Sequence, residues 1–203
     1  MNVAKPIDRR MLARIKAREG GFVFTSTDFL DLGSRHAVDK ALSRMAAAET
    51  IRRISRGLYD VPCRHPIVGI AGPSIDNFAK ALAAKRGTRM QPTGAYAANL
   101  LGLSDQVPAK VVFLTDGRSR RVRLDKLDIV FRQTSPRNMA TAGRISGLVI
   151  QALRYLGKTH VNDVTVARLN RNLSAENKEQ LIEDVNYAPA WIGRIIRQLA
   201  AKE

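Results

Sequence analysis

The residues whose types and spacing suit chemistry in this sequence are cations. Arg35, His36, Lys40, Ser43 and Arg44 fall within one predicted helix over 35–47, and Arg53 and Arg56 lie at a Ser55-Arg56-Gly57 turn shortly after it. Arg120 and Arg121 belong to a third basic stretch, RSRRVRL over Arg118–Leu124. An Arg fork donates two parallel hydrogen bonds to a phosphate or a guanine edge, while Lys, His and Ser add single donors. The chemistry this set suits is recognition of a polyanion.

The side chains that bond-making chemistry needs are sparse. The three histidines (His36, His65, His160) are far apart, and Cys63 with His65 is too small a set for a structural zinc site. There is no G-x-S-x-G elbow, no P-loop and no G-x-G-x-x-G. Gly33-Ser34 resembles the start of a nucleotidyltransferase signature, but no Asp-x-Asp pair follows to hold two metals. Asp125 and Asp128 read as turn residues, and Thr93 reads as the cap of a following helix. The expectation is a protein that is not an enzyme and carries no metal or cofactor.

Composition points the same way. The 203 residues hold 34 Lys+Arg against 18 Asp+Glu, a formal charge of +16, with 45% apolar residues. The excess is spread along the chain: residues 1–62 carry 12 basic and 7 acidic groups, 63–140 carry 13 and 5, and 141–203 carry 9 and 6. A surface of this sign gains affinity for nucleic acid through counterion release, so nucleic acid is favoured over a membrane surface or an acidic protein, with double-stranded DNA the expectation once the order of elements below is added. The single cysteine excludes an intramolecular disulfide framework. With no apolar run of spanning length and no apolar core in the first 18 residues, a cytoplasmic protein without membrane contact is expected.

The elements that must position these cations follow from periodicity. Asp8 is expected to cap a helix over 9–18, with Met11, Leu12 and Ile15 on one face, and Gly20-Gly21 to stop it. Phe22–Phe24 reads as a short extended piece. Thr25 or Ser26 then caps a short helix whose apolar side is Phe29, Leu30 and Leu32, ended by Gly33 in a left-handed conformation. Ser34 caps helix 35–47, which carries Val38, Ala41, Leu42 and Met45 on a single stripe. Thr50–Ile54 and Leu58–Val61 form a hairpin. Helix, short strand, helix, turn, helix, hairpin is the order of a winged helix-turn-helix over residues 1–62.

Pro62 and Pro66 bracket a linker to a second domain, 67–203. Its first part, 67–138, reads as a helix over 75–86, a helix over 95–101 and a small mixed sheet from Lys110–Leu114, Arg118–Leu124 and Ile129–Arg132. Its second part, 139–203, reads as helical, with Gly157, Ser174 and Pro189 marking helix ends and starts. The fold class is α+β.

Ser34–Tyr59 (SRHAVDKALSRMAAAETIRRISRGLY) and Arg89–Gly117 (RMQPTGAYAANLLGLSDQVPAKVVFLTDG), above all Gln91-Pro92-Thr93-Gly94 leading into Ala97–Leu103, resemble the AbiEi family of bacterial antitoxins from abortive-infection operons. The resemblance covers nearly the whole chain. It implies an N-terminal winged helix that binds inverted repeats in the operon's own promoter as an autorepressor. It also implies a C-terminal domain that counters a nucleotidyltransferase-like toxin, commonly without a stable complex. Carried over, Arg35, His36, Lys40, Ser43 and Arg44 occupy the recognition helix, and Arg53 and Arg56 the wing. Arg120 and Arg121 would extend the basic face over a second stretch of DNA. Inverted repeats call for two protomers on one site, compatible with a monomer in solution. The alternatives are an RNA-binding module and an antitoxin whose C-terminal helices dock directly on the toxin. Aromatic content of 5% gives the RNA reading no stacking platform.

Overall fold

A computed structural model describes residues 6–18, 21–65, 69–71, 73–106 and 108–201. The Gly20 stop, the linker at Pro66 and the expected domain start at Ile67 lie outside the described residues, as do the side chains of Cys63 and His65. The fold is α+β, with three small sheets among the described residues. The chain divides into two compact units, 1–87 and 88–203.

The first unit runs α1 (Pro6–Lys16), β1 (Val23–Phe24), a 3-10 turn (Ser26–Phe29), α2 (Arg35–Ala47), β2 (Arg52–Ser55), β3 (Leu58–Asp60), β4 (Cys63–His65), β5 (Gly69–Ala71) and α3 (Ile75–Ala84). The β1, β3 and β2 strands form one antiparallel sheet in that order, and β4 pairs with β5. The α2 helix forms where its sequence directs: Ser34 Oγ accepts from the Ala37 amide at 3.3 Å, and Val38, Ala41, Leu42 and Met45 are buried. That stripe packs with Met11 and Ile15 of α1 and with Phe24, Phe29 and Ile51. Phe24 meets Phe29 edge-on at 5.6 Å and stacks on Tyr59 at 6.2 Å.

Four local expectations for this unit change. Asp8 lies inside α1 rather than before it, where its carboxylate takes Arg44 in place of backbone amides. The short helix after β1 is a single 3-10 turn: Thr25 and Asp28 form a capping box that tightens the chain at once, and Leu30 stays exposed. Gly33 is absent from the left-handed residues; its missing side chain matters because a Cβ there would lie 2.9 Å from Ile7 Cδ1. The helix over 75–84 belongs to this unit and not to the next, because its buried Phe78, Ala79 and Leu82 face the β1 side and Asn77 Nδ2 donates to Gly21 O at 3.0 Å.

The second unit runs β6 (Met90–Thr93), α4 (Gly94–Leu100), β7 (Lys110–Thr115), β8 (Arg120–Leu124), β9 (Leu127–Gln133), α5 (Pro136–Met139), α6 (Ile145–Leu156), α7 (Asp163–Asn172), α8 (Ala175–Glu183), a 3-10 turn (Val185–Tyr187) and α9 (Ala190–Ala200). Its sheet has the order β6-β7-β9-β8, with β7 and β9 parallel and the other pairs antiparallel. Phe113 and Phe131 stack at 5.6 Å on one face, met edge-on by Tyr96 of α4. The helices bury Val149, Leu153, Leu169, Leu181, Ile192 and Ile196 in a second core.

Gln91-Pro92-Thr93 belongs to strand β6. Thr93 makes no cap bond; its hydroxyl donates to Gln151 Oε1 at 2.8 Å, and Gln91 Nε2 donates to Gly147 O at 3.2 Å, both buried. Gly147 is the close approach this requires, since a Cβ would stand 2.4 Å from Thr141 O and 2.5 Å from Gln91 Oε1. Below α6, the buried Asp184 accepts from Ser146 Oγ and from Arg144 Nη1, the latter at 2.7 Å. Among the described residues no helix is long and apolar enough to cross a membrane.

Candidate nucleic-acid interface

The side of α2 opposite its apolar stripe exposes Arg35, His36, Asp39, Lys40 and Ser43. Because Ser34 satisfies only one of the first amides, the N-terminal turn retains open N–H donors beside Arg35, the usual setting for an anion. Arg35 Nε pairs with Asp39 Oδ2 at 3.1 Å, an exposed one-turn pair that water weakens. Lys40 has no carboxylate partner among the described residues.

Arg44 is placed differently from its helix neighbours. Its guanidinium donates twice to Asp8, through Nη2 at 2.7 Å and Nε at 3.2 Å, which raises its pKa further and joins α2 to α1. Its role in this geometry is to hold the exposed face of α2 in position. Arg52 does the same for the hairpin: it donates through Nη2 at 2.6 Å and Nε at 3.0 Å to Asp60, which is 1% exposed. The register of β2 against β3 slips between Arg53 and Ser55; Ile51, just before the strand, is buried and Arg53 is exposed.

At the tip, Gly57 adopts φ +67°, and Arg53 and Arg56 are exposed and without carboxylate partners among the described residues. The Arg56 carbonyl accepts a hydrogen bond from Lys85 Nζ, just past the end of α3. Burial lowers the Lys85 pKa, and the positive charges of Arg86, Arg56, Arg35 and Arg53 lower it further. The start of α2, the hairpin tip and the end of α3 therefore contribute positive charges that act on Lys85. A surface of this kind is relieved by binding an anion.

Lys85 and Arg86 were not among the residues singled out from sequence. They fall at the end of the helix expected over 75–86, where nothing in the neighbouring sequence distinguishes them. Only the path of α3 brings them to the hairpin.

On the second unit, alternation in β8 separates the two arginines expected to act together. Arg121 and Arg123 are exposed, whereas Arg120 turns to the other face and its guanidinium lies 4.4 Å from the Phe131 ring centroid. Arg120 is thus part of the packing against Phe131.

The carboxylates considered for metal chemistry do not converge. Asp116 follows β7 and pairs with Arg89 at 2.8 Å, a hydrogen bond that holds its carboxyl below the usual range. Asp125 sits in the β8–β9 turn at φ +52°, and Asp128 pairs in register with Lys110, at the other end of β7 from Asp116. Among the described residues no three metal-ligating side chains cluster.

A family model described as "Family of unknown function (DUF6088)" matches residues 10–181. A solved structure, that of the RV2827C protein from Mycobacterium tuberculosis, is similar at a TM-score of 0.48 and 14% identity, over 99% of this chain and 84% of that one. No curated protein matches the sequence.

Proposed function

The chain belongs to the DUF6088 family, whose function is unknown, and from its own surface we propose that it is a DNA-binding antitoxin that represses its own operon. In this reading the first unit is a winged helix-turn-helix: α2 enters the major groove and the β2–β3 hairpin is the wing. Arg35, His36, Lys40 and Ser43 contact base edges and phosphates from α2. Arg53 and Arg56 follow the flanking backbone, and Arg44 supports α2 through Asp8. The observation that carries the reading is that one compact unit exposes Arg35 and Lys40 on α2 and Arg53 and Arg56 on the hairpin, whose tip is bonded by Lys85.

Promoter DNA places the protein in the cytoplasm, with two protomers on an inverted repeat and a monomer free in solution. The antitoxin role rests on the resemblance of Ser34–Tyr59 and Arg89–Gly117 to AbiEi proteins, and with it comes a nucleotidyltransferase-like toxin as the functional counterpart. No catalytic step is assigned to the chain.

The test is a footprint on the DNA upstream of the gene, with wild type and an Arg35→Ala/Lys40→Ala/Arg53→Ala variant. Protection of a repeated half-site by wild type, lost in the variant, is the expected result. Protection that survives all three substitutions removes α2 and the hairpin from the interface. Preference for transfer RNA over this duplex at matched salt replaces the reading with an RNA-binding one.

A further inference from the structure

We propose that Lys85 and Arg86, at the end of α3, form a phosphate-binding site with Arg56 of the hairpin tip, and that Lys85 also fixes the hairpin in its binding position. The ligand class is the phosphodiester backbone of duplex DNA, so the inference rests on the DNA-binding reading and adds a third contacting element to it.

Geometry carries the proposal. An ammonium has three donors, and the Arg56 carbonyl takes one of those on Lys85. That bond ties the hairpin tip, beyond the reach of the Arg52–Asp60 pair at the other end of its strands, to a helix end. Gly57 is needed for the contact: a Cβ there would stand 2.7 Å from Lys85 Nζ. Lys85, Arg86 and Arg56 are all exposed, the Lys85 ammonium is held at the Arg56 backbone, and among the described residues no carboxylate pairs with any of the three. Lysine binds such a group as a point charge, and the arginines add directional donors. A phosphate at this point gives the assembled cations the counter-charge they lack. Arg35 and Arg53 are near enough to act on Lys85, so a DNA strand held by α2 continues onto the hairpin and the end of α3 without leaving the positive surface.

Each phosphate neutralised contributes about 0.9 to the slope of log K against log salt for B-form DNA, so losing one contact costs roughly eightfold in affinity at about 0.1 M salt. The experiment measures anisotropy of a fluorescein-labelled duplex of about 20 bp, roughly two helical turns, with the full-length chain from about 50 to 200 mM salt. Arg86→Gln is expected to weaken binding about eightfold and to flatten the slope by about 0.9. Lys85→Met loses at least as much, while Lys85→Arg, which keeps charge and donors, restores the slope. Arg171→Gln, on the exposed side of α7, leaves the slope as in wild type. Thermal melting of each variant separates loss of fold from loss of contact.

If Arg53→Gln weakens binding while Lys85→Met and Arg86→Gln bind as wild type, this inference is wrong and the interface is confined to α2 and the hairpin. If none of the three changes the affinity or the slope, the duplex binds elsewhere and the winged-helix reading fails as well. A wild-type chain that does not bind the duplex at about 50 mM salt overturns both.

Discussion

Residues 1–87 hold 16 basic and 8 acidic side chains and residues 88–203 hold 18 and 10, so each unit is formally +8, yet they use that charge in different ways. In the first unit, Arg14, Arg44 and Arg52 are tied to Asp31, Asp8 and Asp60, and these pairs hold α1, α2 and the hairpin in place. Lys85, at the end of α3, bonds the Arg56 carbonyl at the hairpin tip and lies within the field of Arg86, Arg56, Arg35 and Arg53. In the second unit, the interior is ordered by neutral side chains, Gln91, Thr93 and Gln151, with Asp184 held by Ser146 and Arg144. Its exposed arginines Arg121 and Arg123 lie along one strand. Equal net charge therefore does not make equal sites. Potential builds where charges from separate elements come within a screening length, about 10 Å at 0.1 M salt.

The contrast is tested most severely by what holds each unit together. Arg52→Met leaves the carboxylate of Asp60 buried and without its cation, which is expected to cost about 3–5 kcal/mol. Phe113→Ala removes a fully buried ring from the sheet core of the second unit and is expected to cost about 3–5 kcal/mol. Denaturant unfolding followed by a probe in each unit should show the first change in residues 1–87 and the second in residues 88–203. A Arg52→Met variant as stable as wild type would deny that ion pairs organise the first unit.

A smaller effect is expected at the hairpin tip. Gly57→Ala puts a side chain into a left-handed position, costing about 1–2 kcal/mol, and its Cβ displaces Lys85 Nζ. Duplex binding should weaken and its salt dependence flatten, though no contacting charge has been removed. Unchanged binding would mean that the Lys85–Arg56 tie has no part in positioning the hairpin.

The smallest effect is on pH dependence. Hydrogen bonds from Arg14 and Arg89 lower the pKa of Asp31 and Asp116 respectively. Each carboxylate contributes stability above the ordinary carboxylate range that is lost as the pH falls through its native value, so acid is expected to weaken both units. Lys85 behaves in the opposite sense: with its native pKa lowered, the folded protein sheds that proton before the unfolded chain does. Stability of the first unit should rise with pH between the native and ordinary lysine values. Duplex binding, which favours the charged form, should weaken over the same interval. A binding curve flat through this interval in wild type, and the same in Lys85→Arg, would detach Lys85 from the interface.

Much of the local structure was legible because local forces set it. Ser34, the stripe from Val38 to Met45 and the extent of α2 follow from capping and helical period, and the structure repeats them residue for residue. Gly87, Gly102 and Gly157 end helices in left-handed conformations as glycine permits. Alternation in RSRRVRL already hinted that one face stays apolar, but not that Arg120 would share it by lying on Phe131, because an arginine's long apolar stem can be buried beneath its charge. The capping role expected of Thr93 gave way to a hydroxyl bond with Gln151, a partner 58 residues away.

From residue order alone come the α+β character, the helix that presents Arg35 to Ser43 and the excess of positive charge, since propensity, period and charge are properties of neighbours along the chain. Which cations are spent on Asp8 and Asp60, and which are brought together by Lys85 at the hairpin, was settled by packing. Arg44 and Asp8 lie 36 positions apart, Lys85 and Arg56 29, and even Arg52 and Asp60, 8 apart, meet only across a strand pair, and a charge is a brace or a binding group according to what the folded chain puts beside it.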